Sequence, residues 1–169
     1  RVGRPTGFEL FEQINTDEIF ERAAKRAENM LKAKPAPSGR YTVITDPQLA
    51  GIFAHEAVGH GCEADHVTSG ESILAGKIGK SVGSELVSIL DDSTVIGRWG
   101  TEKYDDEGVP TKKRILIEKG ILKGYIQNRE SAAKLNMEPN GGARAHNFNH
   151  RPIVRMSNTY IANGNCKFE

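Results

Sequence analysis

Two histidines and a glutamate fall within six positions of the chain, in the segment 55–60 that reads HEAVGH. Neutral imidazoles are common zinc ligands, and a carboxylate beside the first ligand can act as general base towards a metal-activated water. In one interpretation His55 and His60 therefore bind a metal and Glu56 accepts the proton. In the other, one histidine packs in the core, the second is solvated, and Glu56 is a surface charge.

The spacing of the two histidines differs from the common zinc-peptidase pattern, in which they stand at i and i+4 on one helix face. His55 and His60 stand at i and i+5, and five residues of an ideal helix leave the second ring about 140° away from the first. A π-bulge would restore the shared face, and Gly59 tolerates such a distortion. Alternatively, the helix ends near Gly59 and His60 folds back from the next segment.

Further candidate ligands follow at once, among them Cys62, Glu63 and His66. Cys62 would share a helical face with His55, but seven residues rise about 10.5 Å, which is too far for ligands about 2 Å from one ion. We therefore expect Cys62 to be structural and His66 to be a solvated or core histidine. Glu63 is the best candidate in this segment for a third ligand or for a hydrogen-bond partner of a ligating histidine.

Several separate motifs, in the same order, resemble the TldD/PmbA metallopeptidases, a family also called modulators of DNA gyrase. The segment 55–61 with 63–65 resembles the zinc signature of the TldD branch. The other matching stretches are the acidic loop 105–110, the hairpin 116–125, Arg144, His150, Pro152 and the segment 155–160. The resemblance covers most of the chain.

This resemblance implies zinc-dependent hydrolysis of peptides or unfolded protein segments, with His55 and His60 as ligands and Glu56 as general base. It also implies a homo-oligomer or a heterodimer with a PmbA/TldE-like paralogue. The family's third ligand is a cysteine in a downstream Gly-rich segment that Cys166 does not match. We therefore expect residues 1–169 to be a single domain that forms an interior piece of a longer protein. It would lack the N-terminal domain and the C-terminal segment.

Three further residues matter only through the resemblance. Arg144 and Arg155 are expected to bind a peptide carboxylate or an acidic side chain, or to stabilise an oxyanion. His150 is expected to belong to the same substrate-binding group.

The composition is that of a globular protein with no strong attraction to nucleic acid or membrane. The net charge is +1 over 169 residues, and the two cysteines are typical of a reducing compartment. Without a signal peptide or a long apolar run, the chain is expected to be cytoplasmic. Two other functions remain open, a non-catalytic interaction module and a regulator of DNA gyrase. The absence of a basic stripe with aromatic residues speaks against the regulator.

The elements that position these residues form an α+β fold with mainly antiparallel strands and two or three helices. A helix capped by Asn15 or Thr16 is expected over 17–34. Another, capped by Asp46, is expected from Pro47, burying Leu49, Ile52 and Phe53 and delivering His55. Strands are predicted at 41–45, 85–90, 94–99, 112–118, 121–127 and 153–162, with turns at Asp91-Asp92-Ser93 and Lys119-Gly120. A short helix is predicted at 128–135, and loops at 67–83, 104–110 and 140–152. The acidic loop is either a cation site or, more simply, a solvated turn.

Overall fold

The structure is a computed structural model that describes Gly3 and residues 5–165. The chain divides into two compact units, Arg1–Ile44 and Thr45–Glu169. Cys166 lies outside the described residues. Within the described part of the chain, no helix is both long enough and apolar enough to cross a membrane.

In its described residues the first unit contains two helices, α1 (Glu9–Gln13) and α2 (Thr16–Leu31). The Asn15 side chain accepts a hydrogen bond from the backbone N–H of Glu18 at 3.2 Å, so of the two predicted caps Asn15 is confirmed and Thr16 is the first helical residue. The helix ends before residue 34, as the proline at position 35 favours, because the residue before a proline avoids helical geometry. The structure, as far as it describes this helix, shows no buried residue in it.

As far as residue 165, the second unit contains three further α-helices, α3 (Pro47–Phe53), α4 (Ala64–Ser69) and α5 (Arg129–Leu135). Its main sheet has the order β3-β2-β1-β6 with antiparallel pairing throughout. These strands are β1 (Ile89–Asp92), β2 (Lys113–Glu118), β3 (Ile121–Leu122) and β6 (Thr159–Ile161). A second antiparallel pair joins β4 (Ala143–Arg144) to β5 (Ile153–Val154). The α+β class with an antiparallel sheet is confirmed.

The core of this unit lies between the sheet and the segment that follows α3. Its most buried apolar side chains include Cys62, Leu116, Leu122, Ile126 and Val154, all at most 1% exposed. The predicted burial of the apolar residues of α3 is wrong. Leu49, Ile52 and Phe53 are 51–66% exposed, because the core contact is made by the turns that come after them.

Local turn chemistry predicted some boundaries correctly. Lys119 and Gly120, both with positive φ, form the two-residue turn between β2 and β3. Asn128 caps α5 by accepting a hydrogen bond from the backbone N–H of Ser131. However, β3 stops at Leu122, well short of residue 127.

Other predicted strands are wrong. Residues 41–45 and 94–99 form no strand, and the strand expected over 153–162 is divided into β5 and β6. The loop expected over 67–83 begins later than predicted, because residues 67–69 belong to α4. The turn expected at Asp91 and Asp92 is instead the end of β1.

A buried ion pair explains why an acidic pair can lie inside a strand. Asp91 is fully buried and accepts hydrogen bonds from both Nε and Nη2 of Arg114, whose guanidinium is itself buried. Asp91 also accepts from the backbone N–H and hydroxyl of Ser157, at 2.8 and 2.9 Å, and from the hydroxyl of Thr159 at 2.7 Å. The pair therefore ties β1 to β2 and to the segment entering β6.

The acidic loop is organised by a carboxylate that binds backbone groups. Asp105 is buried and accepts hydrogen bonds from the N–H groups of Glu107, Val109 and Ala143 at 2.8–3.0 Å. Its oxygens are thus occupied by the protein, which fits neither a solvated turn nor an open cation site.

Candidate metal centre

The candidate site is built on a distorted helix that begins at a strong cap. The Asp46 side chain accepts a hydrogen bond from the backbone N–H of Leu49 at 2.7 Å, and Pro47 occupies the first turn of α3. The helix then continues as a π-helix over Ala54–Gly59 and as a 3-10 turn over His60–Cys62. The π-bulge, one of the two routes that the spacing allowed, is confirmed.

The π-helix brings the two histidines together. The backbone N–H of His60 donates to the carbonyl of His55, the i to i+5 hydrogen bond that defines this geometry. The ring centroids lie 4.9 Å apart with the planes at 86°. Glu56 lies beside them, with its Oε2 3.8 Å from Nε2 of His60.

Within the described residues, one donor atom from each of His55, Glu56 and His60 lies within 4.8 Å of the others. Two imidazole nitrogens and a carboxylate oxygen are a donor set that zinc accepts. His55 and Glu56 are exposed and His60 is partly exposed, so small rotations of the side chains can bring the nitrogens closer. The residues present therefore fit a zinc ion.

Gly59 is required for packing of the π-helix. It is buried, and a methyl group at its Cα would overlap Sδ of Met156, which belongs to the core. Any larger residue would push the π-helix away from Met156. The glycine therefore permits close approach at the point where the backbone departs from a regular helix.

Glu63 contacts the second histidine from the side opposite the candidate metal position. It is 1% exposed, and its Oε2 lies 2.7 Å from Nδ1 of His60. A carboxylate on Nδ1 favours the tautomer that carries its proton there, which leaves Nε2 as the free acceptor. Glu63 is not among the three converging donors, so its contact corresponds to the second predicted role, that of hydrogen-bond partner.

The other nearby candidates lie outside the converging set. Cys62 is fully buried, and burial, followed by the charge of Asp91, raises the pKa of its thiol to about 12. The thiol is therefore neutral, as suits the structural role expected for it. The ring of His66 stacks near that of His60 with centroids 6.4 Å apart.

The three residues expected to bind substrate are only partly brought together. Arg144 and Arg155 line one hollow of about 290 Å³ beside Met156. Arg144 forms an ion pair with Glu102 at 3.1 Å. His150 does not line this hollow; it is exposed and its Nδ1 lies 2.7 Å from Oδ1 of Asn147.

A larger cleft of about 1050 Å³ opens beside His55 and Glu56. Its lining also includes Arg98 and the segment Ser157–Tyr160, which leads into β6. Sequence reasoning missed Arg98 as a cleft residue, since it was assigned to a strand. The segment 155–160 was noticed only as a motif, with no indication that part of it lines a cleft with His55.

Comparison with known proteins identifies the family. Residues 38–169 match the PmbA/TldA metallopeptidase C-terminal domain. The chain belongs to this family. It is 49% identical over 166 residues to a metalloprotease of Methanocaldococcus jannaschii, covering 97% of this chain and 37% of that protein. It is 34% identical to the zinc metalloprotease TldD homolog of Saccharolobus solfataricus, covering 93% and 35%.

Solved structures share the fold. A proposed modulator of a DNA gyrase from Thermotoga maritima matches with a TM-score of 0.63 and 32% identity, over 84% of this chain and 32% of that one. TldE from Thermococcus kodakarensis matches with a TM-score of 0.60 and 28% identity, over 69% and 26%. The chain thus spans little more than a third of the length of its curated relatives.

Proposed function

We propose that this chain supplies two zinc ligands and the general base of a peptidase that hydrolyses peptides or unfolded protein segments. The observation that carries the proposal is the convergence of His55, Glu56 and His60 on a π-helix. The names of the relatives support it, since they are metalloproteases and one is a zinc metalloprotease.

Each residue of the proposed site has a separate role in the reaction. Nitrogens of His55 and His60 hold the ion, and a cysteine outside residues 1–169 completes the set, as the family resemblance implies. Zinc, when bound, supplies a Lewis acid that makes water a nucleophile near neutral pH. The Glu56 carboxylate accepts the proton of the attacking water and can return it to the leaving amine. Its exposure to the 1050 Å³ cleft gives it access to substrate.

Substrate binding is assigned to Arg144, Arg155 and His150. The two arginines share a hollow next to Met156, and Met156 packs against Gly59 of the π-helix. Their guanidinium groups suit a peptide carboxylate. His150, exposed outside this hollow, would contact a more distant part of the substrate.

The working assembly is proposed to be a homo-oligomer or a heterodimer with a PmbA/TldE-like paralogue. The fold shared with TldE supports this, because related subunits can associate through equivalent surfaces. The low cysteine content supports a cytoplasmic location.

The test is zinc content and peptidase activity of the full-length protein and of this chain, with a denatured protein as substrate. His55→Ala and His60→Ala should lose zinc and activity together. Glu56→Gln should keep zinc and lose about 100-fold or more in kcat, the scale of general-base catalysis.

His66→Ala is the matched control and should keep both zinc and activity, since its ring lies outside the converging set. The proposal is wrong if His55→Ala retains full zinc content and activity. A full-length protein that folds but binds no zinc at all would instead be an interaction module.

A further inference from the structure

Glu63 presents an unusual buried oxygen next to the candidate metal centre. Oε2 of this carboxylate is occupied by Nδ1 of His60. Oε1 is buried and has no hydrogen-bond partner, and among the described residues it is the only buried side-chain nitrogen or oxygen atom without one. A buried carboxylate oxygen without a donor is costly, so a partner for it is expected close by.

The nearest cation is Arg155. Its Nη1 lies 3.9 Å from Oε1 of Glu63, just beyond hydrogen-bond distance. The backbone of Arg155 is fixed by a hydrogen bond from its N–H to the carbonyl of Gly142 at 2.8 Å. Its side chain is 49% exposed and free to change rotamer. A small rotation of the guanidinium therefore closes the gap without moving the chain.

The neighbouring arginine does not compete for this position. Arg144 lines the same hollow, but its guanidinium pairs with Glu102. Arg155 forms its ion pair, within the described residues, with Glu63 alone. The two arginines of the hollow thus have different partners, and only one of these partners contacts a candidate metal ligand.

We propose that Arg155 is a positioning residue that acts through Glu63 on His60. The guanidinium donates to Oε1 of Glu63 and holds the carboxylate in place. The carboxylate in turn accepts from Nδ1 of His60 and keeps Nε2 directed towards the ion. This inference rests on the proposed function, and it gives Arg155 a role that precedes any contact with substrate.

The contacts of Glu63 and Arg155 would fix the orientation of the His60 ring. His60 begins the 3-10 turn that directly follows the π-helix, and its ring contacts the Glu63 carboxylate at 2.7 Å. A carboxylate that orients a ligating histidine typically contributes about 10- to 100-fold to metal affinity. A guanidinium that fixes the carboxylate extends this support to the residue that directly follows β5.

The experiment measures zinc affinity of the full-length protein by competition with a chelator of known affinity, together with the visible absorption of the Co²⁺ form. Glu63→Gln should weaken zinc binding by about 10- to 100-fold. Arg155→Met, which keeps an apolar stem of similar length, should weaken it by about 10-fold and shift the Co²⁺ bands. Arg155→Lys should restore most of the affinity. Arg144→Met is the matched control and should leave zinc affinity unchanged.

A double variant tests whether Arg155 acts through Glu63 or independently of it. If Arg155 acts through Glu63, adding Arg155→Met to Glu63→Gln causes no further loss of zinc affinity. Additive losses would overturn the proposal, as would an Arg155→Met protein with wild-type zinc affinity and a raised KM for peptide. The folded state of each variant is checked by circular dichroism, and Arg155→Met, being at an exposed side chain, tests the proposal even if Glu63→Gln fails to fold.

His60→Ala is measured beside these variants to distinguish two kinds of failure. If His60→Ala retains zinc, the proposed function is wrong and this inference with it. If His60→Ala loses zinc while Arg155→Met binds it normally, only the positioning role is wrong.

Discussion

The backbone N–H of His60 donates to the carbonyl of His55, and this single π-type hydrogen bond places two side chains five positions apart with ring centroids 4.9 Å from each other. A regular α-helix would separate the same rings by about 140°. π-bulges are less favourable than α-helical turns and occur often at functional sites. The site therefore depends on the contacts that stabilise this turn, among them the packing of Gly59 against Met156.

The contact with Met156 makes Gly59→Ala a sensitive test. The added methyl group overlaps Sδ of Met156, so either the π-helix or the core must move. We expect the free energy of unfolding to fall by about 1–3 kcal/mol, the usual cost of overpacking. Zinc affinity should fall as well. Urea unfolding and chelator competition measure the two effects.

Gly51→Ala is the control for Gly59→Ala. It lies in the same helical segment, but nothing lies within 4 Å of the added methyl group, and it should stabilise by up to about 1 kcal/mol. Met156→Ala should cost less in the Gly59→Ala protein than in the original protein, because the overlap is then absent. If the two costs were equal, Met156 would not be what excludes a side chain at position 59.

The elements predicted correctly are those whose signals are local. The caps of Asn15 and Asp46, the start of the short helix near residue 128 and the turn at Lys119-Gly120 each depend on a few adjacent residues. The π-helix could be predicted for a different reason. If His55 and His60 bind one ion, their spacing allows either this bulge or a helix end near Gly59.

The elements predicted wrongly depend on partners far along the chain. Asp91 looked like a turn residue because nothing nearby indicates that Arg114, 23 positions later, would neutralise it inside a strand. The contact of Glu63 with Arg155 is likewise invisible in the sequence. The exposure of α3 could not be foreseen either, because an apolar pattern does not specify which surface covers it.

Removing one partner of the buried pair of Asp91 and Arg114 should strongly destabilise the fold, because the other partner is then left buried without its counter-charge. Arg114→Met leaves Asp91 charged and buried with only hydroxyl and amide donors. Breaking such a pair typically costs about 3–5 kcal/mol, and urea unfolding should show a loss of this size. Lys123→Met, which breaks the half-exposed pair with Glu118 in the neighbouring hairpin, should cost at most about 1 kcal/mol. Equal losses in the two variants would contradict the conclusion that the pair of Asp91 and Arg114 ties β1 to β2 and to the segment entering β6.

Because the Cys62 thiol is buried, the free energy of unfolding should decrease as the pH rises above 9. Its pKa in the folded protein is about 12, above its ordinary value of 9.0. Below pH 9 the thiol is protonated in both states and pH has no effect through this group. Between pH 9 and 12 the unfolded chain releases the proton while the folded chain keeps it. The free energy of unfolding therefore falls by about 1.4 kcal/mol per pH unit.

Urea unfolding of the original protein and of Cys62→Ala between pH 8 and pH 11 measures this contribution as the difference between their slopes, since Tyr125, whose pKa burial also raises, titrates in both proteins. In a Cys166→Ser background, iodoacetamide at pH 8 should modify the native protein far more slowly than the unfolded protein. Rapid modification of the native state would mean that the thiol is accessible and its pKa is not raised by burial.

Asp105 tests whether the acidic loop holds the fold or a cation. Its two oxygens accept three backbone N–H groups, so Asp105→Asn replaces one acceptor by an amide that faces a donor. The expected cost is about 1–3 kcal/mol, that of a buried donor left without a partner. Asp106→Asn, at an exposed carboxylate that accepts one hydrogen bond, from the backbone N–H of Ala145, is the control and should cost about 1 kcal/mol or less.

A loop organised in this way has no free carboxylate oxygen at Asp105, so millimolar Ca²⁺ should leave the unfolding transition unchanged in the original protein and in Asp105→Asn. A Ca²⁺-dependent rise in stability that Asp105→Asn removes would show instead that the loop is a cation site.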